Sequence, residues 1–311
     1  MKRSWSEDDR FADKALYSVI MLLGVLVRSI SRSKSTFIAH RIGDFAYQVL
    51  KIRRPLVEEN LARTFPEKNS TEINALARKV YRNQADSLIE LLRLPMIKTA
   101  EDAASLMDID AREFLAKTAE VNKGCVLLSA HFGNWELLAH CSGLLVSPVT
   151  IVVKEVKNHA INHQINLLRT MGGNRVIYDW QALREGLRTL RNGGILSILG
   201  DQSDPSGTFF TEFLGRRTSV FLGPAFFALN AGVPLFVAMC RRTGDGRYTV
   251  DVEEVPITSP CKERADIEEL ACRYTQVLER YIYQYPEEWF WLHNRWKQKE
   301  PELPIAATLD C

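Results

Sequence analysis

Between Gly124 and Val255 short apolar runs alternate with stretches of helical character, and this alternation constrains the fold more than any other feature of the 311-residue chain. Strands are predicted at 124–129 (Gly-Cys-Val-Leu-Leu-Ser), 149–153, 175–178, 195–199, 233–241 and 247–255. Helices are predicted at 135–145, at 159–171 before Gly172-Gly173, at 180–191 before Asn192-Gly193-Gly194, at 223–230 and at 263–284. Strands separated by helices of this length predict an α/β fold, a central mixed sheet flanked by helices. Upstream the pattern is helical only: 11–30, 36–51, 71–93 after the start signal Asn69-Ser70-Thr71, and a further helical stretch over 101–119. We therefore divide the chain into a helical region, 1–100, and an α/β unit, 101–311. With 46% hydrophobic residues it can bury a full core.

In sheets of this kind functional groups gather beyond strand C-termini. One such place is Leu127-Leu128-Ser129-Ala130-His131-Phe132-Gly133-Asn134-Trp135-Glu136-Leu137-Leu138. On one continuous helix, the five-residue step from His131 to Glu136 would place them about 140° apart. His131 is therefore expected before the helix, with Gly133 freeing a turn and Asn134 capping a helix that begins near Trp135. This arrangement aims His131 at Glu136. An imidazole that donates one nitrogen to a carboxylate keeps a more basic second nitrogen, suited to taking a proton from an alcohol. Amides at the helix start would polarise a carbonyl. No Gly-x-Ser-x-Gly elbow occurs nearby, so the substrate hydroxyl itself is expected to attack. Spacing alone also fits a surface histidine and a first-turn glutamate favoured by the helix dipole.

Asp201 follows the apolar run Ile195–Leu199 as His131 follows Ser129. It reads equally as a site carboxylate and as a turn cap with Ser203, Asp204 and Gly207. Arg169 stands near a helix end, where the dipole favours a cation. The net charge, 40 basic minus 38 acidic residues or +2, gives no reason to expect nucleic acid as a partner.

Charge placement says more. The apolar segment Ala15–Val27 is followed by Arg28, Arg32, Lys34, Arg41, Lys51, Arg53 and Arg54 against one acid, Asp44. Its thirteen residues fall short of the ~20 that span a bilayer, although extension by snorkelling to Phe11 and Ile30 keeps a spanning helix as an alternative. A helix dipping into one leaflet, its basic flank on the cytoplasmic side, is the expected form, with a buried core helix as the other alternative. Glu7, Asp8 and Asp9 interrupt any signal-peptide n-region. Cys125, Cys141, Cys240, Cys261, Cys272 and Cys311 form no paired motif and read as reduced thiols; Cys311 has no prenylation box and no assigned role. His140, His159 and His163 lack zinc spacing, and no metal is expected. Arg216-Arg217 and Arg241-Arg242 are candidate docking charges for an acidic partner. Trp289, Trp291 and Trp296 fit an interfacial aromatic cluster or core packing, with His293 structural.

His131-Phe-Gly-Asn-Trp-Glu136 resembles the signature of the bacterial lipid A biosynthesis acyltransferases, and further segments resemble that family in order. They are Arg54-Pro-Leu-Val-Glu-Glu-Asn60-Leu61 with Phe65-Pro66-Glu67, then Gly200-Asp201-Gln202 with Gly207, Phe213-Leu-Gly215 and Gly223-Pro224-Ala225, and finally Pro286-Glu-Glu-Trp289-Phe-Trp291-Leu-His293-Asn294-Arg295-Trp296-Lys297. Asn294 stands where an arginine is usual, and Leu214 replaces an aromatic. The resemblance implies a glycerolipid-acyltransferase-like sheet and an essential Asp at Asp201. It also implies an essential Arg at Arg169, before Gly172, gripping a phosphate or carboxylate, with Arg175 as a rival. It implies acyl carrier protein as donor in place of a bound cofactor. The acceptor would be a 3-hydroxyacyl hydroxyl of a lipid A precursor, at the cytoplasmic face of a Gram-negative inner membrane. His131 and Glu136 are the expected catalytic residues, supported by Arg169, Asp201, Asn134 and Gly133. The same chemistry would serve another glycolipid, such as a mannosylated phosphoinositide. A thioester hydrolase and a non-catalytic membrane scaffold are the remaining alternatives.

Overall fold

A computed structural model describes residues 7–121, 123–259 and 261–300, the side chains of 7–13 and 120–121 excepted. The readings that rest on the side chains of Glu7, Asp8, Asp9 and Phe11 and on Cys311 lie outside the described residues. The chain opens with helices α1 (Glu7–Arg28), α2 (Arg32–Gln48), α3 (Arg54–Thr64) and α4 (Ser70–Arg93). The start of α4 is a capping box: Asn69 accepts from the Thr71 and Glu72 amides at 2.9 and 3.1 Å, and Glu72 accepts from the Asn69 amide at 2.8 Å. Helix α3 was not expected. It begins after Lys51 and Arg53, both at positive φ, and Pro55 fits its first turn, where a missing N–H costs nothing.

The helix expected over 101–119 is broken into α5 (Ala100–Ala104), strand β1 (Met107–Ile109) and α6 (Arg112–Val121). Local helical character yields here to pairing across the sheet, because β1 adds a parallel edge to a distant strand and buries Met107. The predicted alternation then follows: β2 (Cys125–Ser129), α7 (Trp135–Leu145), β3 (Val149–Val153), α8 (His159–Thr170), β4 (Arg175–Tyr178), α9 (Leu187–Arg191) and β5 (Ile195–Leu199). An unforeseen hairpin, β6 (Phe210–Phe213) and β7 (Arg216–Ser219), turns on Leu214 and Gly215, both at positive φ. Leu214, the departure from the family aromatic, is wholly buried in the core. Helix α10 (Gly223–Ala231), strands β8 (Leu235–Arg242) and β9 (Tyr248–Val255) and helix α11 (Arg264–Gln284) complete the order.

The sheet runs β1-β9-β8-β2-β5-β3-β4. Strands β8, β2, β5, β3 and β4 are mutually parallel, while β9 runs against β8, so the sheet is mixed and mostly parallel. All five residues of β2 are buried, and their period-two alternation divides them between two cores. Val126 and Leu128 face the cluster that holds α3, α4, α10, α11 and Trp289; Cys125 and Leu127 face the cluster that holds α6, α7 and α8. Full burial of such a side chain contributes about 1.5–3 kcal/mol, which makes β2 a rigid base for the segment that follows it.

Helix α1 is not a core helix. It buries Val27 against α4 and leaves Leu16, Val19, Leu22, Val25 and Leu26 exposed. Among the described residues no helix is long and apolar enough to cross a membrane.

Candidate active site

Strands β2 and β5 are neighbours in the sheet although α7, β3, α8, β4 and α9 separate them in the chain, and Ser129 is in register with Leu199. His131 and Asp201 each lie two residues beyond that pair. They meet: His131 Nδ1 lies 2.8 Å from Asp201 Oδ1. Asp201 is therefore no turn cap. That work falls to Asp204, which accepts from the Ser206 amide at 3.0 Å and, through its carbonyl, from Gly207 at 3.2 Å.

Helix α7 starts where expected, with Asn134 Oδ1 accepting from the Leu137 amide at 3.0 Å. That start carries Glu136 away from the histidine partner predicted for it. Its carboxylate is gripped from α8 by Arg169, with Nε to Oε2 at 2.9 Å and Nη2 to Oε1 at 2.5 Å. The expectation that Glu136 orients His131 is corrected accordingly: the carboxylate on the imidazole is Asp201, and Glu136 holds Arg169. Arg175, the rival, pairs with Glu185 at 2.6 Å away from the cavity.

The turn between β2 and α7 is clamped on every side. Gly133 sits at φ +58°, and a Cβ there would come 1.8 Å from the Cys240 carbonyl, so only glycine fits. Its amide donates to the Glu288 carbonyl at 2.9 Å, and its carbonyl accepts from Ser87 Oγ at 3.0 Å. The His131 carbonyl accepts from the Phe290 amide at 2.9 Å, and Phe132 bridges Trp289. Trp135 meets the His131 ring edge-on at 5.0 Å.

The C-terminal segment contributes a site residue that the sequence leaves open between interfacial cluster and core packing. Trp289 is 1% exposed, and its Nε1 donates to Asp201 Oδ2 at 2.9 Å. The signal was available, since a buried indole N–H needs an acceptor. Trp289 and Trp291 are core residues, and Trp296 packs against that core. Gln202, also overlooked, places its amide nitrogen 3.4 and 3.3 Å from the two ring nitrogens of His131.

A cavity of about 320 Å³ opens beside these groups. Its polar wall carries His131, Glu136, Arg169, Gln202 and Lys154, and Leu127, Leu138, Val149, Ile151 and Val153 supply an apolar one. The His131 side chain is 21% exposed and that of Asp201 2%. Burial disfavours a charged imidazole, but the charge and hydrogen bond of Asp201, with the field of Glu136, outweigh it and raise the His131 pKa above 6.5. Burial likewise opposes ionisation of Asp201, and His131 and the Trp289 N–H together hold its pKa below the ordinary value. His293 is drawn down by burial to about 4, which keeps it neutral.

The paired arginines are engaged within the fold. Arg216 stacks on Trp296 and reaches Asn60 at 3.3 Å; Arg217 binds Glu300 at 2.6 Å. Arg241 meets Asp251 at 3.1 Å, and Arg242 pairs with buried Asp86 and with the Tyr248 hydroxyl at 2.7 Å. His140 bonds the Ile97 carbonyl at 2.9 Å. Burial pushes the Cys125 and Cys141 thiols up to about 12, so neither is a nucleophile.

Residues 6–298 match the family described as bacterial lipid A biosynthesis acyltransferase. Over 268 residues, 85% of each chain, the sequence is 24% identical to a lipid A biosynthesis lauroyltransferase of Escherichia coli K12. It is 22% identical over 270 residues, again 85% of each, to a lipid A biosynthesis palmitoleoyltransferase of the same organism. A phosphatidylinositol mannoside acyltransferase of Mycolicibacterium smegmatis is 24% identical over 249 residues, 77% of this chain and 78% of the relative.

Proposed function

Because the chain belongs to the bacterial lipid A biosynthesis acyltransferases, we propose that it moves a fatty acyl group from acyl carrier protein to a hydroxyl of a lipid A precursor, with His131 as general base. The observation that carries this reading is the His131–Asp201 contact of 2.8 Å at the cavity wall. Asp201 fixes the proton on Nδ1 and leaves Nε2 as the base. Nε2 takes the proton of the acceptor hydroxyl as its oxygen attacks the thioester carbonyl. The tetrahedral intermediate collapses, the C–S bond breaks, and the imidazolium returns the proton to the departing thiolate.

Glu136 and Arg169 act beside this pair. Held as a planar fork by Glu136, Arg169 presents its remaining N–H groups to an anionic group of a substrate. The apolar wall receives the acyl chain. Exposed Leu16, Val19 and Leu22 of α1, with Phe37, Ile42 and Phe45 of α2, stand beside exposed Lys34 and Arg41. A surface of this composition suits one leaflet of an anionic membrane, here the cytoplasmic face of the inner membrane.

The mycobacterial relative favours a second acceptor class, a phosphatidylinositol mannoside, for the same chemistry. The test is acyl transfer from radiolabelled lauroyl- or myristoyl-acyl carrier protein in detergent, offered a tetra-acylated lipid A precursor or a phosphatidylinositol mannoside. A more acylated lipid A product, absent with His131→Ala, supports the proposal. Acylation of the mannoside alone moves the assignment to the second acceptor, and loss of the thioester without lipid product moves it to hydrolysis.

A further inference from the structure

Trp289, Trp291 and Trp296, open between interface and core in the sequence, are packed in or against the core, and an exposed indole lies elsewhere. Among the described residues, Trp180 is the one tryptophan in the exposed class, at 63%, with Leu183 at 59% one turn away. Both follow β4, at the same edge of the sheet as His131 and Asp201, and the last residue of β4, Tyr178, is in register with Val153 of the cavity wall.

The indole is held in place while exposed. Trp180 stacks on Tyr178 at 4.5 Å and 8°, and the Tyr178 hydroxyl accepts from Asn162 and Asn166 of α8 at 3.0 and 3.2 Å. Helix α8 exposes Leu167, and Met171, which caps its end in helical conformation four residues on, lies on the same face; α8 packs beside α1 with its own exposed leucines and valines. The surface around Trp180 is cationic. Arg175, Arg184 and Arg188 all act on Glu185, and Arg191 is exposed one turn on. The acids of this surface are Glu185, tied to Arg175, Asp179, whose carboxylate accepts from the Trp180 amide at 2.8 Å, and exposed Glu155.

We propose that Trp180 and Leu183, with Arg184 and Arg188, form a second lipid contact of the catalytic unit, seated on an anionic bilayer beside the cavity and continuous through α8 with the apolar face of α1. An indole is suited to the boundary between acyl chains and headgroups, arginines beside it meet lipid phosphates, and a flat apolar tip with a cationic rim matches both. Continuity with α1 favours a bilayer over an acidic protein as occupant. The inference rests on the reading that the protein works at a lipid surface.

The test uses the full chain with vesicles of phosphatidylglycerol and phosphatidylethanolamine, with and without brominated acyl chains. Sedimentation reports total binding, and the bromine-quenched emission missing from Trp180→Phe reports this contact alone. The proposal predicts that bromine quenches Trp180 emission, so that the quenched component is smaller in Trp180→Phe, and that Arg184→Glu with Arg188→Glu weakens binding by about tenfold or more. If the wild type sediments but Trp180 emission is indifferent to bromine, the second contact is refuted and binding belongs to α1 and α2. Absence of any vesicle binding refutes the lipid-surface reading and this contact together. Trp180 emission that responds to acyl carrier protein and not to lipid assigns the surface to a protein and overturns the proposal.

Discussion

Two carboxylates serve one cavity, Glu136 on its wall and Asp201 buried behind His131, and their partners separate their work. Asp201 is buried, reaches the imidazole directly and takes a second hydrogen bond from Trp289; Glu136 lies on a helix start and spends both oxygens on Arg169. Asp201 therefore tunes a base, whereas Glu136 arranges a cation. A short spacing in sequence pointed to the wrong partner for the histidine, because five residues of separation lead to α8, and the carboxylate that meets the ring is 70 residues away.

The contrast can be broken from the top down. Loss of the base is the largest effect: His131→Ala should lower kcat by about 10³-fold or more with the KM for both substrates little changed, measured in steady-state acyl transfer. Asp201→Asn should cost about 10²-fold or more and move the acid limb of the rate profile. The sign follows from the structure. A base must be neutral, Asp201 raises the pKa of His131, and so the wild-type rate rises through a pKa above 6.5, while the variant's limb shifts to lower pH. Glu136→Gln should cost about tenfold, chiefly through an Arg169 fork left without its partner, with a smaller shift of the limb because Glu136 acts on His131 only through its field. A double-mutant cycle sharpens this: His131 and Asp201 should be strongly non-additive, and Asp201 and Glu136 close to additive. Trp289→Phe removes one hydrogen bond that steadies a buried carboxylate and should reduce the rate about three- to tenfold without the downward shift of the limb, because Asp201 stripped of that donor is more basic and holds the imidazolium no less tightly.

The smallest effect concerns stability. Glu288, whose backbone holds Gly133, is pushed up by burial to about 7. A carboxyl with a raised folded-state pKa stabilises below its unfolded pKa and loses that contribution as pH rises through 7. Glu288→Gln should therefore raise Tm at pH 8 and leave it nearly unchanged at pH 5, by differential scanning calorimetry.

The alternation from Gly124 to Val255 and the two polar residues beyond β2 and β5 were legible because apolar period and strand length are local properties. Strand order was not, since β5 inserts between β2 and β3, and that insertion is what brings Asp201 to His131. Strand β1 was hidden for the same reason, existing only through its pairing with β9. The β6–β7 hairpin turns on a leucine at positive φ, which carries no ordinary turn signal. The C-terminal tryptophans were readable as core or interface, and only packing decided it, turning Trp289 into the support of Asp201 and, among the described residues, leaving Trp180 as the exposed indole.

The central claim is that Asp201 sets the basicity of His131, with Glu136 secondary. NMR titration of His131 in the wild type, Asp201→Asn and Glu136→Gln tests it without turnover. The account predicts a wild-type pKa above 6.5, a fall below 6.5 in Asp201→Asn and a smaller fall in Glu136→Gln. A larger fall in Glu136→Gln than in Asp201→Asn would contradict it.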